Sequence, residues 1–255
     1  MKNLTEIKRI NYDKLVGTER CFDKQIDWLD KLFKKHNVKK ILDCGCGTGT
    51  HAVLLAKKGY DVTAFDYSKE QITLAKKKAK ESKVRVKFIT GDIRSFYFGK
   101  FDAVVSFYSP IMFGCKNKKE LEKTIKCVDN SLNNQGIALL ETMNSKMLTL
   151  PEIAIDQHHE KNIKLVRISF YDFNKKNKNA KLKYLYITNK NRKTTYLEAK
   201  GNHYYYDKKD FDKIINKTKL KTINWYSAFD YKKGKYTNYN EKTSGMIVPL
   251  LKKVT

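Results

Sequence analysis

The chain has no run of about 18 uninterrupted apolar residues, so no segment reads as a membrane-spanning helix. Its start, Met1-Lys2-Asn3-Leu4-Thr5-Glu6-Ile7-Lys8, lacks the apolar stretch of a secretory signal, which makes the cytoplasm the expected location. The five cysteines are an odd number without framework spacing, which argues against a disulfide scaffold. No Cys/His set completes a zinc site; small buried thiols in a reducing compartment are expected, and no metal. Arginine is scarce. Of 53 basic residues only Arg9, Arg20, Arg85, Arg94, Arg167 and Arg192 are arginines, although the net charge is +26. Arginine is the usual choice for bidentate phosphate and base contacts. Lysines spread over every segment fit a solvated surface better than a nucleic-acid face. No internal repeat and no linker of low complexity interrupts the chain.

What is present is a regular alternation. The 255 residues suffice for one large domain, or one domain with a sizeable insertion. Residues 4–37 read as helical, with Phe22, Ile26, Leu29, Leu32 and Phe33 sharing a face. Strands are expected at 38–43, 61–65, 85–89, 101–107 and 136–141, with helices at 50–58, 69–80 and 118–132. Ser68 can cap the second of these helices, and Asn133-Asn134 reads as the exit from the third. Strand-then-helix repetition predicts an α/β fold with a parallel sheet and right-handed crossovers. Three β-like runs at 163–173, 181–188 and 194–206 have no helices between them and predict an antiparallel insertion. A helix at 207–219 and strands at 221–229 and 246–250 follow. Pro249 is expected near the end of the last strand, because it cannot donate to a ladder.

Residues 41–49 read Ile41-Leu42-Asp43-Cys44-Gly45-Cys46-Gly47-Thr48-Gly49. An apolar strand runs into three glycines at alternate positions, and a helix follows. About twenty residues on, Val62-Thr63-Ala64-Phe65-Asp66 is a strand ending in a carboxylate. A dinucleotide fold wants G-x-G-x-x-G, whereas the third glycine here is Gly49 and position 50 is Thr. The loop therefore suits a ligand without a pyrophosphate, with Asp66 accepting hydrogen bonds from two ribose hydroxyls. A further acid, Asp92, follows the third strand.

With these motifs the chain resembles the class I S-adenosylmethionine-dependent methyltransferases. Gly91-Asp92-Ile93 is similar to their adenine-contacting segment, and 101–105 and 135–140 to their fourth- and fifth-strand motifs. Residues 12–40 resemble the N-terminal helices of small-molecule N-methyltransferases of the glycine and nucleotide-amino-sugar types. The resemblance implies a Rossmann-like, seven-stranded, mostly parallel sheet. Its parts would be an N-terminal helical cover (1–37), a cofactor-binding core (38–145), an antiparallel β lid (146–206) and a C-terminal part of the core sheet (207–255). It implies S-adenosyl-L-methionine as cofactor. Gly45, Cys46 and Gly47 would line its methionine portion, Asp43 would orient the loop or the amino end of the methionine, Asp66 would hold the ribose, and Tyr67, Asp92 and Ile93 would meet the adenine. Arg20 would pair with the cofactor carboxylate, Phe107 would sit beside the methyl-transfer locus, and Tyr12 and Tyr108 would be the catalytic residues.

The acceptor is expected to be a small molecule, through an amine nitrogen that must be neutral to attack. Tyr12, Tyr108, Glu141 and the pair His158-His159, read as an exposed loop, are candidate proton acceptors; His51 and His203 read as structural. The alternatives are an RNA methyltransferase using the basic surface and a non-catalytic cofactor-binding protein. A dehydrogenase is disfavoured by Thr50. The motif Asn/Asp-Pro-Pro-aromatic of base N-methyltransferases is absent: the chain reads Ser106-Phe107-Tyr108-Ser109-Pro110. Oligomeric state is not legible.

Overall fold

The computed structural model describes residues 22–108, 110–147, 153–160 and 163–254. Tyr12, Arg20 and the expected N-terminal cover up to residue 21 lie outside the described residues. The described chain divides into two compact units, one of 22–147 with 205–254, the other of 153–160 with 163–204.

The larger unit begins with α1 (Phe22–Lys35), β1 (Lys40–Cys44), α2 (Thr50–Lys57), β2 (Asp61–Asp66), α3 (Lys69–Glu81) and β3 (Lys87–Thr90). It continues through β4 (Phe101–Ser106), α4 (Pro110–Gly114), α5 (Lys118–Ser131), β5 (Leu132–Leu140) and β6 (Thr142–Met143). The smaller unit holds β7 (Ile153–Glu160), β8 (Ile163–Asn174), β9 (Asn179–Lys190) and β10 (Lys193–Tyr204). The chain then returns to the larger unit with α6 (Lys208–Ile215), β11 (Leu220–Asp230), β12 (Lys235–Asn238) and β13 (Met246–Lys253).

The main sheet runs β12-β11-β13-β5-β4-β1-β2-β3, with β6 paired to β13. It is parallel from β3 through β5 and antiparallel beyond. Its central strands are apolar on both faces, as a sheet covered by helices requires. Ile41, Val105, Leu139 and Val248 are buried there, and Leu29 and Phe33 of α1 belong to the same core cluster. The Ser68 hydroxyl accepts the Gln71 N–H at 3.3 Å and caps α3. Ser68→Ala should cost about 1 kcal/mol, read as a lower urea midpoint; an unchanged midpoint would show that the cap contributes nothing.

The sequence reading holds for the order of these elements and errs at four places. Asn133-Asn134 does not end α5. Leu132, fully buried and registered against Phe101, turns the chain straight into β5, so both asparagines lie within the strand. Among the described residues the main sheet has nine strands in place of the expected seven, because β12 and β6 add short pairings in a polar stretch where alternation is hard to see. Pro249 sits inside β13, not near its end. On one side it falls where the strand changes partner, after Ile247 on β6 and before Leu250 on β5; on the other side it is registered opposite Trp225 of β11. Finally, His158-His159 lie on β7, which pairs with β8, not in a loop.

The smaller unit is a four-stranded antiparallel sheet ordered β10-β9-β8-β7. Asn174 and Asn179 pair across the tip of its central hairpin, at the polar turn that the sequence predicts. No described helix in either unit is long and apolar enough to cross a membrane.

Candidate functional site

The strand order reverses at β1, which has β2 on one side and β4 on the other. Such a switch point leaves a crevice beyond the carboxyl ends of the strands. The chain brings three elements there: the loop 45–49 after β1, Asp66 at the tip of β2, and Phe107-Tyr108 after β4.

Gly45, Gly47 and Gly49 all have positive φ, at 74°, 54° and 77°. Two of them do different work. A Cβ on Gly49 would come within 2.8 Å of the Ala75 Cβ and 3.1 Å of the Phe88 ring, so this glycine lets the loop pack on α3 and β3. A Cβ on Gly47 would meet no heavy atom within 4 Å. Main chain is therefore bare at Gly47, as a ligand resting on the loop requires.

Asp66 holds this loop. Its Oδ2 accepts the Gly47 N–H at 2.8 Å and its Oδ1 accepts the Ser68 N–H at 2.9 Å. Each carboxylate oxygen has a second lone pair, so these bonds are compatible with further donors such as hydroxyls. Asp43 is only 3% exposed, and its Oδ2 has no hydrogen-bond partner among the described residues. Burial, and secondarily the charge of Asp66, push its carboxyl up to about 7. Burial also pushes the Cys44 and Cys46 thiols well above their ordinary range, so they are not nucleophiles here.

Asp92 is held by its neighbour. The Arg94 guanidinium donates to both carboxylate oxygens, and the Arg94 N–H donates to Oδ1 at 2.8 Å. The Arg94 side-chain hydrogen bonds keep the Asp92 carboxyl below the usual carboxylate range. Ile93 is buried, whereas Tyr67 is 69% exposed.

Beside Phe107 the structure assembles a polar cluster that the sequence did not reveal. The Gln25 Oε1, on α1, accepts from the Tyr108 hydroxyl at 3.1 Å and lies 3.0 Å from the His51 Nε2. The Gln25 Nε2 donates to the Tyr236 hydroxyl at 2.6 Å. Tyr236 in turn donates to the Glu141 Oε2 at 3.4 Å, and the Glu141 Oε1 accepts the Tyr108 N–H at 3.0 Å. The Tyr108 and Tyr231 hydroxyls are 2.7 Å apart. Gln25, His51, Glu141 and Tyr236 are all buried. The His51 ring packs against Phe22, Phe107 and Tyr108 at centroid distances of 5.1–5.4 Å. Tyr108 has φ 60°, a left-handed backbone that is costly for a bulky residue and common at functional sites.

Two of the candidates read from the sequence, Tyr108 and Glu141, thus meet in this cluster. His51, read as structural, joins them. Gln25, Tyr231 and Tyr236 were missed. A signal existed for Gln25: it falls three before Trp28 and four before Leu29, on the buried side of an amphipathic helix where a polar residue is out of place. Tyr231 and Tyr236 belong to the β11–β12 hairpin, whose second strand had no legible pattern. His203 belongs to the smaller unit, with its Nε2 3.0 Å from the Tyr184 hydroxyl. Burial lowers its imidazole to about 4, so it stays neutral. Asn144 is fully buried and donates to the Ser244 carbonyl at 2.8 Å, a tie between chain segments. A groove of about 500 Å³ lined by Lys76, Lys80, Arg85 and Lys87 lies by the amino ends of β2 and β3, the opposite end of those strands from the glycine loop.

Residues 41–136 match a family described as a methyltransferase domain. A putative methyltransferase of Bacillus subtilis (strain 168), YqeM, is 32% identical over 136 residues, 52% of this chain and 53% of that protein. A dTDP-3-amino-3,4,6-trideoxy-alpha-D-glucopyranose N,N-dimethyltransferase of Streptomyces venezuelae is 31% identical over 102 residues, 40% of this chain and 41% of the relative. The chain spans about half the length, or less, of these curated relatives. Among solved structures, an S-adenosylmethionine-dependent methyltransferase from Clostridium acetobutylicum ATCC 824 superposes with a TM-score of 0.81. It shares 17% identity, and the match covers 96% of each chain. With its glycine loop at the switch point of a mostly parallel sheet, the chain has the fold of S-adenosylmethionine-dependent methyltransferases, and its residues 41–136 match a methyltransferase-domain family.

Proposed function

We propose that this protein transfers a methyl group from S-adenosyl-L-methionine to a small molecule, through an amine nitrogen. The observation that carries the reading is the bare main chain at Gly47, tied to Asp66 at the strand switch point. The buried Asp43 oxygen, without a hydrogen-bond partner among the described residues, fits it too, since a cationic ligand placed nearby would favour the charged carboxylate. The amine acceptor is supported by the sugar-amine relative and by the absence of a base-methyltransferase motif after β4.

When bound, the cofactor supplies an activated methyl carbon on positively charged sulfur. This chain's part is to bind and orient. Gly45, Cys46 and Gly47 line the methionine portion, and Asp66 holds the ribose hydroxyls. Tyr67, Asp92 and Ile93 surround the adenine, and Phe107 borders the reacting centre. Orientation of an acceptor against the methyl carbon supplies on the order of 7–11 kcal/mol of the barrier reduction. Tyr108 and Glu141 face the acceptor side, with Tyr12 as a further candidate there and Arg20 at the cofactor carboxylate.

Calorimetry with S-adenosylhomocysteine tests the cofactor placement. Asp66→Ala should weaken binding by about tenfold or more, roughly 1.4 kcal/mol; unchanged affinity would remove the placement. A methylation panel of amino sugars, small amines and RNA tests the acceptor class. Labelled product from RNA alone, with RNA affinity falling steeply in salt, would replace the small-molecule reading.

A further inference from the structure

We propose that Arg94 is a positioning residue for base recognition: its guanidinium fixes the Asp92 carboxylate so that Oδ2 is the oxygen offered to the amino group of a 6-aminopurine. This rests on the cofactor placement of the proposed function; the contacts themselves do not. Asp92 follows β3 and opens a short closed turn. The Ser95 N–H donates to the Asp92 carbonyl at 3.1 Å, and the Arg94 N–H donates to the Asp92 Oδ1 at 2.8 Å. Such a turn needs only the main chain of residue 94. By itself it leaves the carboxylate plane free to rotate, since a terminal torsion of this type is broad. The Arg94 side chain removes that freedom. Its Nη2 donates to Oδ2 at 2.6 Å, and its Nε to Oδ1 at 2.9 Å with a longer arm to Oδ2 at 3.1 Å. Paired bonds from a planar fork set direction as well as strength. Among the described residues, every hydrogen bond that this carboxylate accepts comes from Arg94.

The fork is itself held. The Arg94 Nη1 lies 3.4 Å from the Glu120 Oε1, and the Glu120 Oε2 accepts the Lys116 N–H at 2.7 Å. Glu120 stands in the first turn of α5, and its own N–H donates to the N-cap Asn117 Oδ1 at 3.0 Å. Between Asp92 and Arg94, the Ile93 side chain is buried. A Cβ on Gly114, at the end of α4, would come within 2.6 Å of the Ile93 Cγ2, so main chain without a side chain is needed there. The turn is thus seated on α4 and α5, which follow β4, and not only on the strand that leads into it.

An ionised carboxylate has about four acceptor sites and no donor. The Arg94 side-chain hydrogen bonds hold Asp92 below the usual carboxylate range, so it is ionised at neutral pH. Oδ1 is taken by the Arg94 N–H and Nε, whereas Oδ2 has Nη2 as its close donor. The remaining capacity therefore lies on Oδ2. The Asp92 and Arg94 side chains are 29% and 32% exposed, which leaves the pair accessible to a ligand. An oxygen that only accepts, held in one direction, selects a base that presents an N–H to it. Adenine does so through its 6-amino group. A 6-oxopurine would set a carbonyl oxygen against the carboxylate oxygen, and a site built to accept a hydrogen bond rejects a group that cannot donate one. Arg94 acts on this choice through Asp92.

Calorimetry on the full chain with S-adenosylhomocysteine and with its 6-oxo counterpart, S-inosylhomocysteine, tests this. The wild type should bind the amino compound at least about tenfold more tightly, a ratio that one hydrogen bond to a charged group supports. Arg94→Met keeps the main-chain turn and loses the fork, so its ratio should fall to within about threefold of parity. Arg94→Lys keeps the charge without the paired donors, and its ratio should fall at least about threefold below that of the wild type. Loosened packing alone would weaken both ligands alike, so the ratio is the readout and not the affinity. Circular dichroism shows which variants fold, and the lysine variant decides if the methionine variant does not. A wild type without preference overturns the inference, as does an unchanged ratio in a folded variant. Either result leaves the cofactor reading intact, because S-adenosylhomocysteine still binds. Failure of the wild type to bind it would remove that reading and this inference together.

Discussion

Between about pH 4 and pH 8 the protein should lose about 4 kcal/mol of stability relative to its Asp43→Asn variant. The cause is the position of the residue. Asp43 lies in β1 in the middle of the sheet, 3% exposed, with one oxygen partnerless among the described residues and Asp66 nearby. In the unfolded chain its carboxyl titrates near about 3.9; in the folded chain burial lifts it to about 7. Between these values the folded state keeps a proton that the unfolded state has released. The contribution is therefore fully present below about pH 4 and is lost as pH rises through about 7. Roughly three pH units at about 1.4 kcal/mol each give the figure. Asparagine cannot titrate, so its stability should lack this component. Urea denaturation of both proteins at a series of pH values measures the difference, and two parallel profiles would show that Asp43 is ionised in the fold.

Gly49→Ala should destabilise by about 3 kcal/mol, while Gly47→Ala should cost only about 1 kcal/mol. Both residues have left-handed backbones, and alanine is strained by about 1 kcal/mol in either. Only at Gly49 does the new methyl collide, with the Ala75 Cβ and the Phe88 ring. Neither contact is the far end of a flexible side chain, so α3 or β3 must shift, at about 1–3 kcal/mol more. The methyl on Gly47 enters open space instead, where the proposed ligand lies. That variant should keep nearly normal stability yet bind S-adenosylhomocysteine at least about tenfold more weakly. Thermal melts and calorimetry on the two variants separate packing from binding. Equal stability losses would mean that the loop is not packed as described, and normal binding by Gly47→Ala would mean that the ligand does not rest there.

Alternating apolar runs and helical spacing depend on neighbours a few residues away, which is why the order β1-α2-β2-α3-β3 and the glycine loop were legible. The Ser68 cap was legible for the same reason, since a cap acts on a backbone N–H three residues on. The boundary between α5 and β5 was not, because Leu132 is fixed by burial and by its register against Phe101, on a strand far earlier in the chain. Pro249 was misplaced for a related reason. It lies within a strand longer than its local pattern suggests, where β13 exchanges β6 for β5 on one side, and no local pattern records that exchange.

The α/β class, the bare loop after the first strand, and the acids at 66 and 92 follow from the chain's residues unaided, since each is written in contiguous positions. What stands beside Phe107 is the work of folding. Gln25, His51, Tyr108, Glu141, Tyr231 and Tyr236 come from separate stretches, up to 211 residues apart in a single hydrogen bond. Hydrogen bonds of this kind form only where packing has already placed donor and acceptor within about 3 Å. A linear sequence specifies the groups but not that distance.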